Sequence, residues 1–187
     1  MKQKFSVVSG TVKEAVQCPS PNFNERPAGE VVSLLVLHNI SLPPRQFGGG
    51  YVERFFQNQL PVDEHPYFET IKDLTVSAHL FISREGQVTQ FVNLDKRAWH
   101  AGRSEFLGRE ECNDYAIGIE LEGADDIPYT EQQYKALDVL TRSIRDAYPQ
   151  ITAERITGHS DIAPERKTDP GDAFDWVRFR TGLSTEG

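Results

Sequence analysis

Five histidines, His38, His65, His79, His100 and His159, are the side chains here best suited to hold a metal or move a proton near neutral pH. Two of them sit where chemistry is usually built. His38 ends the apolar run VVSLLVLHN (31–39), where an imidazole without a partner is costly to bury. His159 follows Thr157 and Gly158, and the glycine permits a close backbone approach. Ten residues on, Asp169 lies in the turn-rich stretch Lys167-Thr168-Asp169-Pro170-Gly171, which can fold back toward His159. Two imidazoles and one carboxylate form a three-ligand catalytic zinc set, with the fourth tetrahedral position left for water. On spacing alone, Asp161, Glu165 and Asp172 compete for the carboxylate position. The other histidines read differently: His65, before a proline and among acids, as a loop residue, and His79 as a hydrogen-bonded residue of the sheet. His100, after Trp99, reads as a residue of either a substrate-contacting loop or simple packing.

The elements that must position these groups are legible in outline. Residues 31–39 read as a strand buried on both faces, emptying into SLPPRQFGGG, where prolines and glycines forbid regular structure. Residues 51–60 read as a short helix ending before Pro61, and 76–83 with 87–92 as a hairpin. A loop follows over 99–114. In the strand AIGIELEG (116–123), Ile117, Ile119 and Leu121 share one face, while Ala116, Gly118, Glu120 and Glu122 share the other. Small residues beside two acids suggest a floor over which something lies. Residues 130–148 form a helix: Thr130 and Gln133 have capping-box spacing, and Tyr134, Leu137, Leu140, Ile144 and Tyr148 recur at helical intervals before Pro149. After the 154–176 stretch only a short tail remains. Strands interspersed with helices imply a mixed α/β fold, a central sheet flanked by helices.

A chain of 187 residues with 38% hydrophobic content suits one domain with a substantial core. The net charge of -8 argues against nucleic acid and against an anionic membrane surface. No apolar h-region or membrane span is read near the amino terminus, because Lys13 and Glu14 interrupt the only candidate. The expectation is a cytoplasmic protein in which Cys18 and Cys112 are reduced thiols.

The segments CPSPNFNERP (18–27), LHNISLPP (37–44), HPYF (65–68), VSAH (76–79), KRAWHAG (96–102), CNDYAIGIELEG (112–123) and GHSDIAPERKTDPG (158–171) together carry a family resemblance. Over roughly 16–180 the chain resembles the AmpD family of anhydro-N-acetylmuramoyl-L-alanine amidases, a group that also includes phage T7 lysozyme and the peptidoglycan recognition proteins. The resemblance implies a single amidase domain and a Zn2+ cofactor held by His38, His159 and Asp169. It also implies Glu120, rather than Glu122, as catalytic acid, and Lys167 as a second catalytic residue. Asn39, Trp99, His100 and Arg166 are expected to contact substrate. Some family members are expected to carry arginines where Thr75 and Glu111 stand, which leaves Arg166 and Arg109 as cationic contacts. The implied reaction is hydrolysis of the lactyl–L-alanine amide of a small soluble muropeptide, in cytoplasmic cell-wall recycling, with no obligatory protein partner.

Overall fold

Leu34, Leu35, Val36 and Leu37 have no exposed surface, so the strand they open must be covered on both sides. The computed structural model, which describes residues 4–184, shows how. Six strands, β1 (Val16–Gln17), β2 (Leu34–Ile40), β3 (Leu80–Ile82), β4 (Val88–Gln90), β5 (Ala116–Glu122) and β6 (Ile156–Gly158), form one mixed sheet of order β6-β2-β5-β3-β4-β1. β6, β2, β5 and β3 run parallel to one another, whereas β3 and β4 form the expected antiparallel hairpin.

The helices α1 (Tyr51–Phe56), α2 (Pro66–Ile71), α3 (Glu131–Ala147), α4 (His159–Ile162) and α5 (Trp176–Ser184) surround this sheet. Ile117, Ile119 and Leu121 of β5 pack in one cluster with Leu137, Leu140 and Ile144 of α3 and Phe179 of α5. Truncating such a buried leucine or isoleucine to alanine costs about 2–5 kcal/mol. Phe55, Phe56, Phe68 and Ile71, from α1 and α2, pack around Phe81 and Phe91 as a second cluster. The start of α3 is a complete capping box. Thr130 Oγ1 accepts from Gln133 N–H, and the Gln133 side chain accepts from Thr130 N–H.

Four expectations need correction. The helix read over 51–60 stops at Phe56, because Asn58 adopts a left-handed conformation (φ 58°) that no helix continues through. Of 76–83 only Leu80–Ile82 is ladder. Before it, Val76 O accepts from the Asn22 side chain and Ser77 N–H bonds Trp99 O instead of a neighbouring strand. The region read as a short tail forms α5, because Trp176 and Phe179 pack on Phe174. The loop at 99–114 contains a small hairpin, Glu105–Phe106 against Arg109–Glu110.

Arg26, from the segment before β2, is a structural anchor that the sequence did not announce. Its guanidinium donates to the carbonyls of Leu94, Asn113, Asp114 and Ala116 at 2.9–3.0 Å, tying the start of β5 to its surroundings. Burial brings its pKa down to about 10.

Candidate active site

Strand register creates the site. In the parallel pairing of β5 with β2, Glu120 stands directly opposite His38. On the other side of β2, Gly158 of β6 pairs with Leu37, so the next residue, His159, comes level with His38 where α4 begins. Neighbouring strands lie about 4.8 Å apart, so three functional groups stand in one row near the carboxyl ends of three parallel strands. His159, His38 and Glu120 are each less than a tenth exposed.

The segment after α4 folds back, as the run of turn residues suggested. Ser160 N–H donates to Asp169 O at 2.9 Å. A Cβ on Gly158 would meet Pro170 Cδ at 2.8 Å, so only glycine lets the loop come this close. Asp125 holds the loop from the far side. Its carboxylate accepts from Thr168 Oγ1 at 2.5 Å and from Asn39 Nδ2 at 2.8 Å, while Asn39 Nδ2 also donates to Pro170 O at 3.1 Å. Tyr129 OH donates to the same carbonyl at 2.7 Å. Sequence reasoning named neither Asp125 nor Tyr129, since both act on a segment more than forty residues away.

The result is a tight triangle of donor atoms. His38 Nδ1 and His159 Nδ1 are 2.9 Å apart, and each lies 3.1 Å from Asp169 Oδ2. His159 Nε2 faces the Ala101 carbonyl at 3.0 Å, which only an N–H satisfies; a neutral His159 therefore presents a bare lone pair at Nδ1. Burial brings the His38 pKa down to about 4, against the pull of Asp169, so its imidazole is neutral as a metal ligand must be. Desolvation pushes the pKa of the half-buried Asp169 up, but its contacts with His159 and His38 outweigh this and hold it well below the ordinary carboxylate value. Ligand atoms about 2.0–2.1 Å from a tetrahedral zinc are about 3.3 Å from one another, close to the separations found here. The donor set therefore fits a divalent zinc ion. Among the described residues the group that could hold a metal is these three side chains; a three-residue donor set is the kind that leaves one tetrahedral position open. Cys112 is turned away, its Sγ 3.3 Å from Tyr115 OH. Of the competing carboxylates, Asp161 is committed to Thr157 Oγ1 at 2.6 Å and Gly158 N–H at 2.9 Å.

The two acids of β5 have opposite surroundings. Glu122 accepts from the backbone N–H of Gly48 and, at 2.9 Å, from that of Arg84. Glu120 Oε2 is buried with no partner among the described residues. Burial, reinforced by the charge of Asp169 and opposed by that of Lys167, holds its pKa well above the usual carboxylate value. A carboxyl so tuned holds a proton more readily than an exposed one, as a group that exchanges protons must.

His38, His159, Asp169 and Glu120 line a cleft of about 700 Å³, ample for a small ligand. Lys167, Arg166, Asn39, Trp99 and His100 line it, with Tyr67, Leu74 and Val76 forming an apolar side. Trp99 is braced by Nε1 donating to Asn24 Oδ1 at 2.7 Å. Arg166 spends one guanidinium nitrogen on the carbonyls of Ala101 (2.6 Å) and Arg103 (2.8 Å). Arg109 is absent from the cleft lining: it pairs with Glu30 and lies 4.0 Å over the Tyr115 ring. Glu111 pairs with Arg97 at 3.3 Å, and Thr75 is exposed.

Comparison with known proteins points the same way. The family described as N-acetylmuramoyl-L-alanine amidase matches residues 28–172. The 1,6-anhydro-N-acetylmuramyl-L-alanine amidase AmpD of Haemophilus influenzae is 53% identical over 183 residues, covering 98% of this chain and all of its own. A crystal structure of a selenomethionine AmpD derivative superposes with a TM-score of 0.92 at 51% identity, covering 95% of this chain and 99% of that one. AmpDh3 from Pseudomonas aeruginosa, solved in complex with anhydromuramic pentapeptide, is similar at 28% identity and a TM-score of 0.62. That match covers 83% of this chain and 61% of the other.

Proposed function

The chain belongs to the N-acetylmuramoyl-L-alanine amidase family, and from that premise we propose zinc-dependent hydrolysis of the lactyl–L-alanine amide in anhydro-N-acetylmuramoyl peptides. The observation that carries this reading is the row of His159, His38 and Glu120, with Asp169 folded against it and a partnerless carboxyl beside the donor triangle. The anhydro sugar is proposed by likeness to the relatives named above. In this reading residues 1–187 are one zinc amidase domain, with the family resemblance over about 16–180. The proposal includes a cytoplasmic recycling role, to be checked by cell fractionation; no helix among the described residues is long and apolar enough to cross a membrane.

In this reading His38, His159 and Asp169 hold Zn2+. When bound, zinc supplies the Lewis acidity that lowers the pKa of water to about 7 and polarises a carbonyl oxygen. Glu120, poised by burial, takes a proton from the attacking water and returns it to the departing alanine nitrogen. Lys167 lines the same cleft, and its ammonium has no ion-pair partner among the described residues, so its charge is available to the oxyanion. Such stabilisation is worth about 2.7–4 kcal/mol of barrier. Trp99 and the apolar side offer a surface for the sugar ring, and Arg166 keeps the 101–103 segment in place beside them.

The test is mass spectrometry of products from anhydro-muramoyl tripeptide, using metal-stripped protein with and without added zinc. Zinc-dependent release of free tripeptide is the expected outcome. Tight binding without cleavage at any zinc level would replace the enzyme reading with that of a muropeptide receptor.

A further inference from the structure

One dipeptide touches both imidazoles of the donor triangle from behind. His100 Nδ1 lies 2.9 Å from His38 Nε2, and the Ala101 carbonyl lies 3.0 Å from His159 Nε2. The backbone of the same two residues is held by one carboxamide. Asn113 Oδ1 accepts from His100 N–H at 3.1 Å and from Ala101 N–H at 2.8 Å. Asn113 is itself 6% exposed and sits in a short turn of helix, Cys112–Asp114, that leads into β5.

The His100 ring has a purpose-shaped seat. It lies against Gly118, where a Cβ would come within 2.5 Å of the His100 Cγ. The small residue that the strand pattern marked as part of a floor is therefore the floor for this ring. His79 borders it edge-on, with ring centroids 5.7 Å apart, and fixes Gly118 by accepting its N–H at 3.0 Å.

We infer that His100 and Asn113 are positioning residues of the metal site, the His100–Ala101 step acting as an outer clamp that turns the Nδ1 lone pairs of both ligand imidazoles inward. This rests on the reading of His38, His159 and Asp169 as metal ligands. The physical need is specific. A ligand imidazole keeps one proton and must carry it on the nitrogen remote from the metal. For His159 the Ala101 carbonyl enforces that choice, because it can only accept. For His38 the choice is open, since Nδ1 also faces Asp169 and a proton there would occupy the ligand position. His100, with its own Nδ1 unprotonated, is the acceptor that draws the His38 proton to Nε2. The sequence-based expectation placed His100 at the substrate; the clamp gives its ring nitrogen a task on the opposite side of His38.

Zinc affinity, measured on the whole protein by competition with a chromogenic chelator and no substrate present, tests this. His100→Ala is expected to weaken zinc binding about 10- to 100-fold. His100→Asn, which returns an acceptor oxygen near the Nδ1 position, is expected to recover most of that loss, and Asn113→Ala to weaken binding less than His100→Ala. Affinity of His100→Ala within about twofold of wild type would overturn the clamp, as would equal losses in the Ala and Asn variants, which would mean packing alone. Should His100→Ala not fold, the nitrogen-15 shifts of the wild-type zinc form decide: Nε2–H on His38 with a bare His100 Nδ1 is expected, and a proton on His100 Nδ1 overturns the proposal. Wild-type protein that takes up no zinc would instead sink the metal reading itself.

Discussion

The row of His159, His38 and Glu120 and the belt of residues beside it are made of the same amino acids at similar burial, yet they are wired in opposite ways. In the belt, His79 has no exposed surface and both ring nitrogens are used: Nδ1 accepts Gly118 N–H, and Nε2 faces Lys96 O at 2.9 Å. Glu122, two residues beyond Glu120, accepts one backbone N–H on each oxygen. In the row, His38 and His159 have one ring nitrogen each turned to a shared point, and Glu120 Oε2 is left without a partner. Desolvating a polar atom without a hydrogen bond costs free energy. A fold that leaves Glu120 Oε2 without a partner, beside two imidazole nitrogens crowded onto one carboxylate oxygen, is spending stability where a ligand will return it. The lesson is that a buried histidine or glutamate is read for function by its uncommitted atoms, not by its burial.

The sharpest way to break this contrast is Glu120→Gln, which keeps the shape and removes the exchangeable proton. Turnover should fall about 10²- to 10⁴-fold while zinc affinity is retained. Near-normal turnover would place Glu120 with Glu122 in the committed belt. The reverse case is His79→Ala. Stranding Gly118 N–H alone costs about 1–3 kcal/mol in denaturant unfolding.

His79 also carries a signature in pH. Burial, aided by the Arg26 charge, lowers its pKa from 6.5 to about 3. Between those values the unfolded chain binds more protons than the folded one, so stability rises with pH. The contribution is complete above about pH 6.5 and is lost as pH falls toward 3; in metal-free His79→Ala that acid limb should be shallower. The smallest effect belongs to Glu122→Gln. One backbone N–H loses its acceptor and the other keeps only an uncharged one, for a loss of about 1 kcal/mol in stability, and kcat should not move. A large fall in kcat there would show that the belt reaches into the chemistry.

Several features were determined by the sequence alone. The unbroken apolar run of 34–37 requires cover on both faces, the alternation of β5 separates Ile117, Ile119 and Leu121 from Gly118, Glu120 and Glu122, and Thr130 with Gln133 marks the start of α3. These are local patterns, with periods of two or 3.6 residues, and the chain carries them before it folds. His38 and His159 also stood out, because imidazoles at the ends of apolar or glycine-marked segments need partners. Which carboxylate approached them, and which glutamate served the cleft, was implied only by family resemblance. Alternation puts Glu120 and Glu122 on one face and cannot rank them.

The tertiary structure decided the rest. Parallel register sets Glu120 opposite His38, and the return of the 167–171 loop, held by Asp125 and Tyr129, brings Asp169 onto both imidazoles while Asp161 is used to cap. Arg26, Asn113 and the use of Gly118 as a seat for the His100 ring carry no periodic signal, since each acts through contacts between segments separate in the chain. Hydrogen bonds between residues far apart in the chain have no local pattern to betray them, and so the difference between a committed and an open nitrogen exists only once the strands have met.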